Sequence, residues 1–140
     1  MRRLLLLLVL ILGCTVSGNK DSALTDAVRA GDVATVRTLC ARGADPNTPS
    51  GENGWPPLMH AVHKNQLGTA AALLDAGADP NAANDRGMSA LMMASGYGQR
   101  DMVALLLRRG ANARLTDRNG EAAIDYALSG MTDIDAFTYL

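Results

Sequence analysis

Aromatic side chains are scarce in this chain of 140 residues: one tryptophan, three tyrosines and one phenylalanine stand against 23 alanines and 20 leucines. So little bulk argues against a large β-sandwich or a wide ligand cavity, both of which draw on big side chains for buried area. Cysteine is equally sparse, and two thiols cannot build a multi-disulfide framework. Charge of one sign is missing too, since 13 Lys and Arg oppose 14 Asp and Glu. Without a strong field, nucleic acid is not an expected partner. The unbroken apolar run Leu4 to Leu12 falls well short of the roughly 20 residues that cross a bilayer. What is abundant, Ala and Leu, suits closely packed helices within one domain.

The start of the chain is set apart from the rest. Arg2 and Arg3 precede the apolar run, and Gly13, Cys14, Thr15 and Ser17 follow it. A basic start, a short apolar middle and a small-residue end read as an export signal over residues 1–13. Ile11-Leu12-Gly13-Cys14 resembles the lipobox of bacterial lipoproteins, in which the cysteine becomes the acylated first residue, although Leu12 stands where a small residue is usual. That resemblance implies lipidation of Cys14 and a periplasmic protein tethered to the membrane only by lipid. Thr15 in place of Asp favours the outer membrane. Cleavage after Ser17, which would release a free protein, competes, and in a eukaryote the segment would be an ordinary secretory signal. Residues 14–21 read as a short polar tether.

Beyond residue 21 the sequence repeats. GADPN recurs at 43–47 and 77–81 and returns as GANAR at 110–114, spacings of 34 and 33 residues. Leu24, Leu58, Leu91 and Ile124 share one register position, and Ala27, Ala61, Ala94 and Ala127 another; Leu39, Leu73, Leu106 and Tyr139 form a third. The extra residue falls between Thr48 and Gly54, in a loop. Within each unit a short apolar stretch (Leu58–Asn65, Leu91–Gly98, Ile124–Gly130) predicts an inner helix, with Pro57 at a first helical position and Ser22 and Ser89 as caps. A second stretch at helical spacing, such as Met102-Val103-Leu106-Leu107, predicts an outer helix. Gly43, Gly77 and Gly110 then end the first three outer helices.

These motifs, read as GWPPLMHA at 54–61, GMSALMMA at 87–94 and GEAAIDYA at 120–127, resemble the ankyrin repeat over residues 21–140. A tetratricopeptide array has a similar period but lacks the GADPN turn. The resemblance implies an all-α solenoid of helix-turn-helix units joined by hairpin-like turns, with units at about 22–48, 49–83, 84–116 and 117–140. Where the family has a histidine that bonds neighbouring repeats, this chain has Thr25, Met59, Met92 and Asp125; the methionines are expected to fill the place by packing. The outer units read as caps, with fraying expected at the C-terminus.

Chemistry is hard to find. His60 and His63, near Met59, Met92 and Met93, are soft and imidazole donors that could hold copper or haem, yet they sit at exposed register positions and lack further ligands. No cofactor is expected. Cys40 aligns with Leu74 and Leu107 and is expected to be a buried hydrophobe. Ser89, Ser95 and Ser129 lack a nucleophile motif, Gly96-Tyr97-Gly98 reads as a helix end, and no catalysis is expected. The resemblance instead implies a concave recognition face of hairpin tips and inner helices. It maps onto Glu52, Asn53 and Trp55; Asp85, Arg86 and Met88; Arg118, Asn119 and Glu121; and Arg29, His63, Lys64 and Tyr97. Trp55, beside a turn glycine where the core does not need it, is the expected hot spot. The expectation is a monomeric, non-catalytic scaffold for a protein partner. Its alternatives are an inhibitor or immunity protein against an envelope enzyme or toxin, and a metal- or haem-binding protein using His60 and His63.

Overall fold

A computed structural model describes the backbone of residues 17–138 and the side chains of residues 23–130. The signal segment and Cys14 lie outside the described residues, as do the side chains of Phe137 and Tyr139. Seven helices follow one another: α1 (Ser17–Ala30), α2 (Val33–Ala41), α3 (Pro57–His63), α4 (Leu67–Asp75), α5 (Ala90–Gly96), α6 (Arg100–Arg108) and α7 (Ala123–Thr138). No strand occurs among the described residues. Three isolated antiparallel bridges, Ser50 with Trp55, Ala83 with Ser89 and Thr116 with Ala122, close the hairpins between units. The chain is an all-α solenoid of the expected kind.

Local chemistry accounts for the element ends. Pro57 opens α3, and the Ser89 hydroxyl accepts from the Met92 N–H at the start of α5. The outer helices end alike: the N–H of Ala44, Ala78 and Ala111 donates to the carbonyls of Leu39, Leu73 and Leu106 at 2.9 to 3.0 Å, across Gly43, Gly77 and Gly110 at φ of 91° to 97°. That closure requires a left-handed residue. The inner helices turn into the outer ones by the same device, at Gly31, Asn65 and Gly98, with φ of 72°, 52° and 64°. The fourth unit carries Met131 at this position. A methionine pays about 1–2 kcal/mol in the left-handed region, and here the helix runs on from Ala123 to Thr138.

Three expectations are corrected. Ser22 does not stand at a helix start, because α1 begins at Ser17, inside the segment read as a tether. Cys40 is only half-buried: it packs on the edge of the core, as Leu74 does, while Leu107 is exposed. Burial pushes its thiol up, helped by the charge of Asp45. The fourth unit is one helix rather than an inner helix and the start of an outer one.

The core is a single column of small and medium side chains. Leu24, Leu58 and Leu91 are buried, as are Ala27, Ala61 and Ala94, and Met59 and Met92 fill the position the family gives to histidine. A repeated set of bonds between units runs through the turns. Asn47 accepts from the Asp79 N–H at 2.7 Å and donates to the Gly77 carbonyl; Asn81 repeats this with Asn112, at 2.7 Å, and Gly110.

Candidate functional site

The bridge between Ser50 and Trp55, closed by backbone bonds of 2.9 and 3.1 Å, fixes the hairpin that carries the tryptophan. Pro56 and Pro57 then start α3 directly behind it. Trp55 is therefore held half-buried over the first turns of α3, its ring 5.3 Å from that of His60 and 5.4 Å, edge on, from that of His63. His63 continues the row into the next unit: its ring lies 5.9 Å from Tyr97 and its Nδ1 pairs with the tyrosine hydroxyl at 3.1 Å. Four rings thus span two repeats on the concave side.

His60 departs from the exposed position expected of it. It is half-buried, and its Nε2 pairs with the Ser50 hydroxyl at 2.9 Å. Burial, reinforced by the charges of Arg29 and His63, pushes its pKa down to about 4. The ring is a neutral packing element at neutral pH.

Beside this row lies a cleft of about 300 Å³, at the lower end of ligand pockets. Its origin can be read in the register. His60, Met93 and Tyr126 share one position, and His63, Gly96 and Ser129 the next inward-facing one. Where His63 fills its place in the second unit, Gly96 leaves it open in the third and Ser129 nearly so in the fourth. Gly130 lets α7 approach so closely that a methyl there would strike the Gly96 carbonyl oxygen. The floor is thus backbone, Met93 and Tyr126; Trp55 and Tyr97 form one wall, and Met88, Asn53, Asn84 and Arg86 the hairpin side. Tyr126 is held by its hydroxyl, which donates to Asp117 at 2.9 Å. Burial and that carboxylate push the phenol up to about 12. The Asp117 carboxylate also accepts from the N–H groups of Glu121 and Asn119 and sits below the usual carboxylate range.

Of the residues the sequence singles out, Asn53, Trp55, Arg86, Met88 and Tyr97 converge on the cleft, with His63 joining Trp55 to Tyr97. Glu52, Lys64, Asp85 and Arg118 do not line it. Lys64 caps α3, while Asp85 and Arg118 use their backbone N–H groups to bond the Asn53 and Arg86 carbonyls, at 3.1 Å each. Sequence reasoning missed Asn84, Met93, Gly96, Tyr126, Ser129 and Gly130. The signal available was the run of small residues at His63-equivalent positions. Among the described residues no three His, Cys, Asp or Glu side chains gather as a metal-binding group, and His60 and His63 spend a nitrogen each on Ser50 and Tyr97. Among the described residues the arrangement offers ring faces, the Asn53 amide and one cation, which is the chemistry of recognition.

Comparison with known proteins agrees with the repeat fold. A family model described as ankyrin repeats (3 copies) matches residues 3–84, and one described as ankyrin repeats (many copies) matches residues 73–127. An ankyrin repeat-containing protein of Treponema pallidum (strain Nichols) is 38% identical over 72% of this chain and 34% of its own length. The B-cell lymphoma 3 protein homolog of Mus musculus is 38% identical over 77% of this chain and 24% of its own. The mitochondrial disaggregase of Bos taurus is 36% identical over 79% and 16%. The chain therefore spans about a third or less of the length of these relatives.

Proposed function

The chain belongs to the ankyrin-repeat family, and from that premise we propose that it is a non-catalytic scaffold that grips a protein partner with its concave face. The observation that carries this reading is the row of Trp55, His63 and Tyr97, in which His63 touches both neighbours and Trp55, packed at the edge of the core, is only half-buried. Tyr97 is 52% exposed although it sits in a helix cap. Tryptophan and tyrosine are the residues that dominate binding energy at interfaces. Relatives as different as a disaggregase and a ribonuclease share this unit, which supports a module used for contact.

The proposal includes location. The signal-like start and Cys14 support export and acylation, leaving the repeats tethered in the periplasm, with the outer membrane favoured. The mass of the mature N-terminus tests this directly: a diacylglycerol-modified cysteine is expected, and an N-terminus after Ser17 would overturn the tether. For partner binding, a photoreactive residue at position 55 in intact cells should crosslink one discrete protein. Trp55→Ala should weaken binding of that protein by about 2 kcal/mol, and affinity within twofold of wild type would refute the assignment.

A further inference from the structure

The cleft between Trp55, Tyr97 and Tyr126 carries more than a general binding face, because its lining is chemically lopsided. Its interior is ring faces and thioethers: Trp55, Met88, Met93, Tyr97 and Tyr126. Among the described residues Arg86 is the one cation on its lining, and no carboxylate lines it. The Arg86 guanidinium makes no hydrogen bond or ion pair among the described residues; only its backbone is engaged, the N–H with Asn84 and the carbonyl with the Arg118 N–H. Asp117, which holds the Tyr126 hydroxyl, is already committed to that group and to the backbone N–H groups of Asn119 and Glu121. The Asn53 carboxamide is likewise unengaged on the same rim, while its carbonyl is tied to Asp85.

On the footing of the concave-face reading, we infer that the cleft recognises an extended peptide segment of the partner that seats one large apolar side chain between Tyr97 and Tyr126 and sets a neighbouring carboxylate on Arg86. Each part has its reason. About 300 Å³ suits one side chain rather than a large cofactor. An unpaired guanidinium beside a ring-lined wall favours a carboxylate that it can grip with two N–H groups. Asn53 offers both a donor and an acceptor to a passing main chain. The occupant is a peptide rather than a free small molecule because the cleft is open along the concave face and continuous with the Trp55–His63 row, so a longer chain covers what a small molecule would leave wet. The third and fourth units thus set specificity through Gly96, Ser129 and Gly130, whose small size makes the room.

The test selects short random peptides displayed on phage against the full chain and measures the winners as synthetic peptides by fluorescence polarisation. Winners should share an aromatic, Leu or Met residue within two positions of Asp or Glu. Ser129→Leu, which fills the cleft from an exposed helical position, should weaken them at least about tenfold, and Arg86→Glu should do the same and redirect selection to Lys or Arg. Circular dichroism melts confirm that both variants are folded, and Arg86 lies on an exposed tip where folding does not depend on it. No enrichment, winners without a carboxylate, or peptides indifferent to Ser129→Leu would each overturn the inference. The broader reading fails separately: a partner crosslinked at position 55 whose binding needs Trp55 but ignores Ser129→Leu leaves the concave face standing and removes the cleft.

Discussion

At the scale of single residues, His60 couples stability to pH. Its folded pKa of about 4 lies below the ordinary value of 6.5, so the unfolded chain binds the proton first as the solution is acidified. The stabilisation is complete above about pH 6.5 and is lost as pH falls towards 4. Partial solvent contact reduces the effect to about 1–2 kcal/mol. Thermal melts at pH 7 and pH 4.5 should show a larger drop for the wild type than for His60→Phe, which keeps a ring against Trp55 without a proton to gain. Equal drops would assign the acid sensitivity elsewhere, with Asp32 and Asp117 the next groups to examine, since both are held below the carboxylate range by hydrogen bonds. Trp55 was legible in the sequence as a lone large ring beside a turn. His60 was not, because half-burial depends on Ser50 and Trp55 folding back over it, a contact that no spacing rule contains.

Among the elements, the approach of α7 to α5 is the tightest joint. Gly130→Ala puts a methyl against the Gly96 carbonyl and should cost about 1–3 kcal/mol, read from denaturant melts, with loss of the cleft as well. Gly98→Ala is a different kind of defect. Nothing lies within reach of an added methyl there, but φ is +64°, so the cost should be backbone strain of about 1–2 kcal/mol, and Gly98→Asn should recover part of it. The helix-turn-helix units, their caps and the turn glycines were readable because each rests on local chemistry repeated in register. The continuous α7 was readable in principle from Met131, at the position held by Gly31, Asn65 and Gly98, but the eye follows the apolar pattern before the turn residue. The cleft was obscured for a related reason: it is made by what Gly96, Ser129 and Gly130 lack, and an absence has no periodicity.

For the whole molecule, stability is distributed along a line, each unit burying its face only on its neighbours. Hydrogen exchange should be slowest in α3 to α6, where Leu58, Met59, Leu91 and Met92 are covered from both sides, and faster in α7, where Ile124 is 64% exposed at the position that Leu24, Leu58 and Leu91 bury. Uniform protection would contradict that ordering. Asn81→Ala removes both turn bonds to the following unit and should cost about 1–3 kcal/mol, felt first in the third and fourth units. The hairpin tips are joined differently, main chain to main chain, Asp85 N–H to the Asn53 carbonyl and Arg118 N–H to the Arg86 carbonyl. Because those links use no side chain, the tips hold their spacing whatever residues they display. Descendants of this chain could exchange one partner for another by rewriting positions 52, 53, 85, 86, 118 and 119 while the curvature that presents them stays inherited.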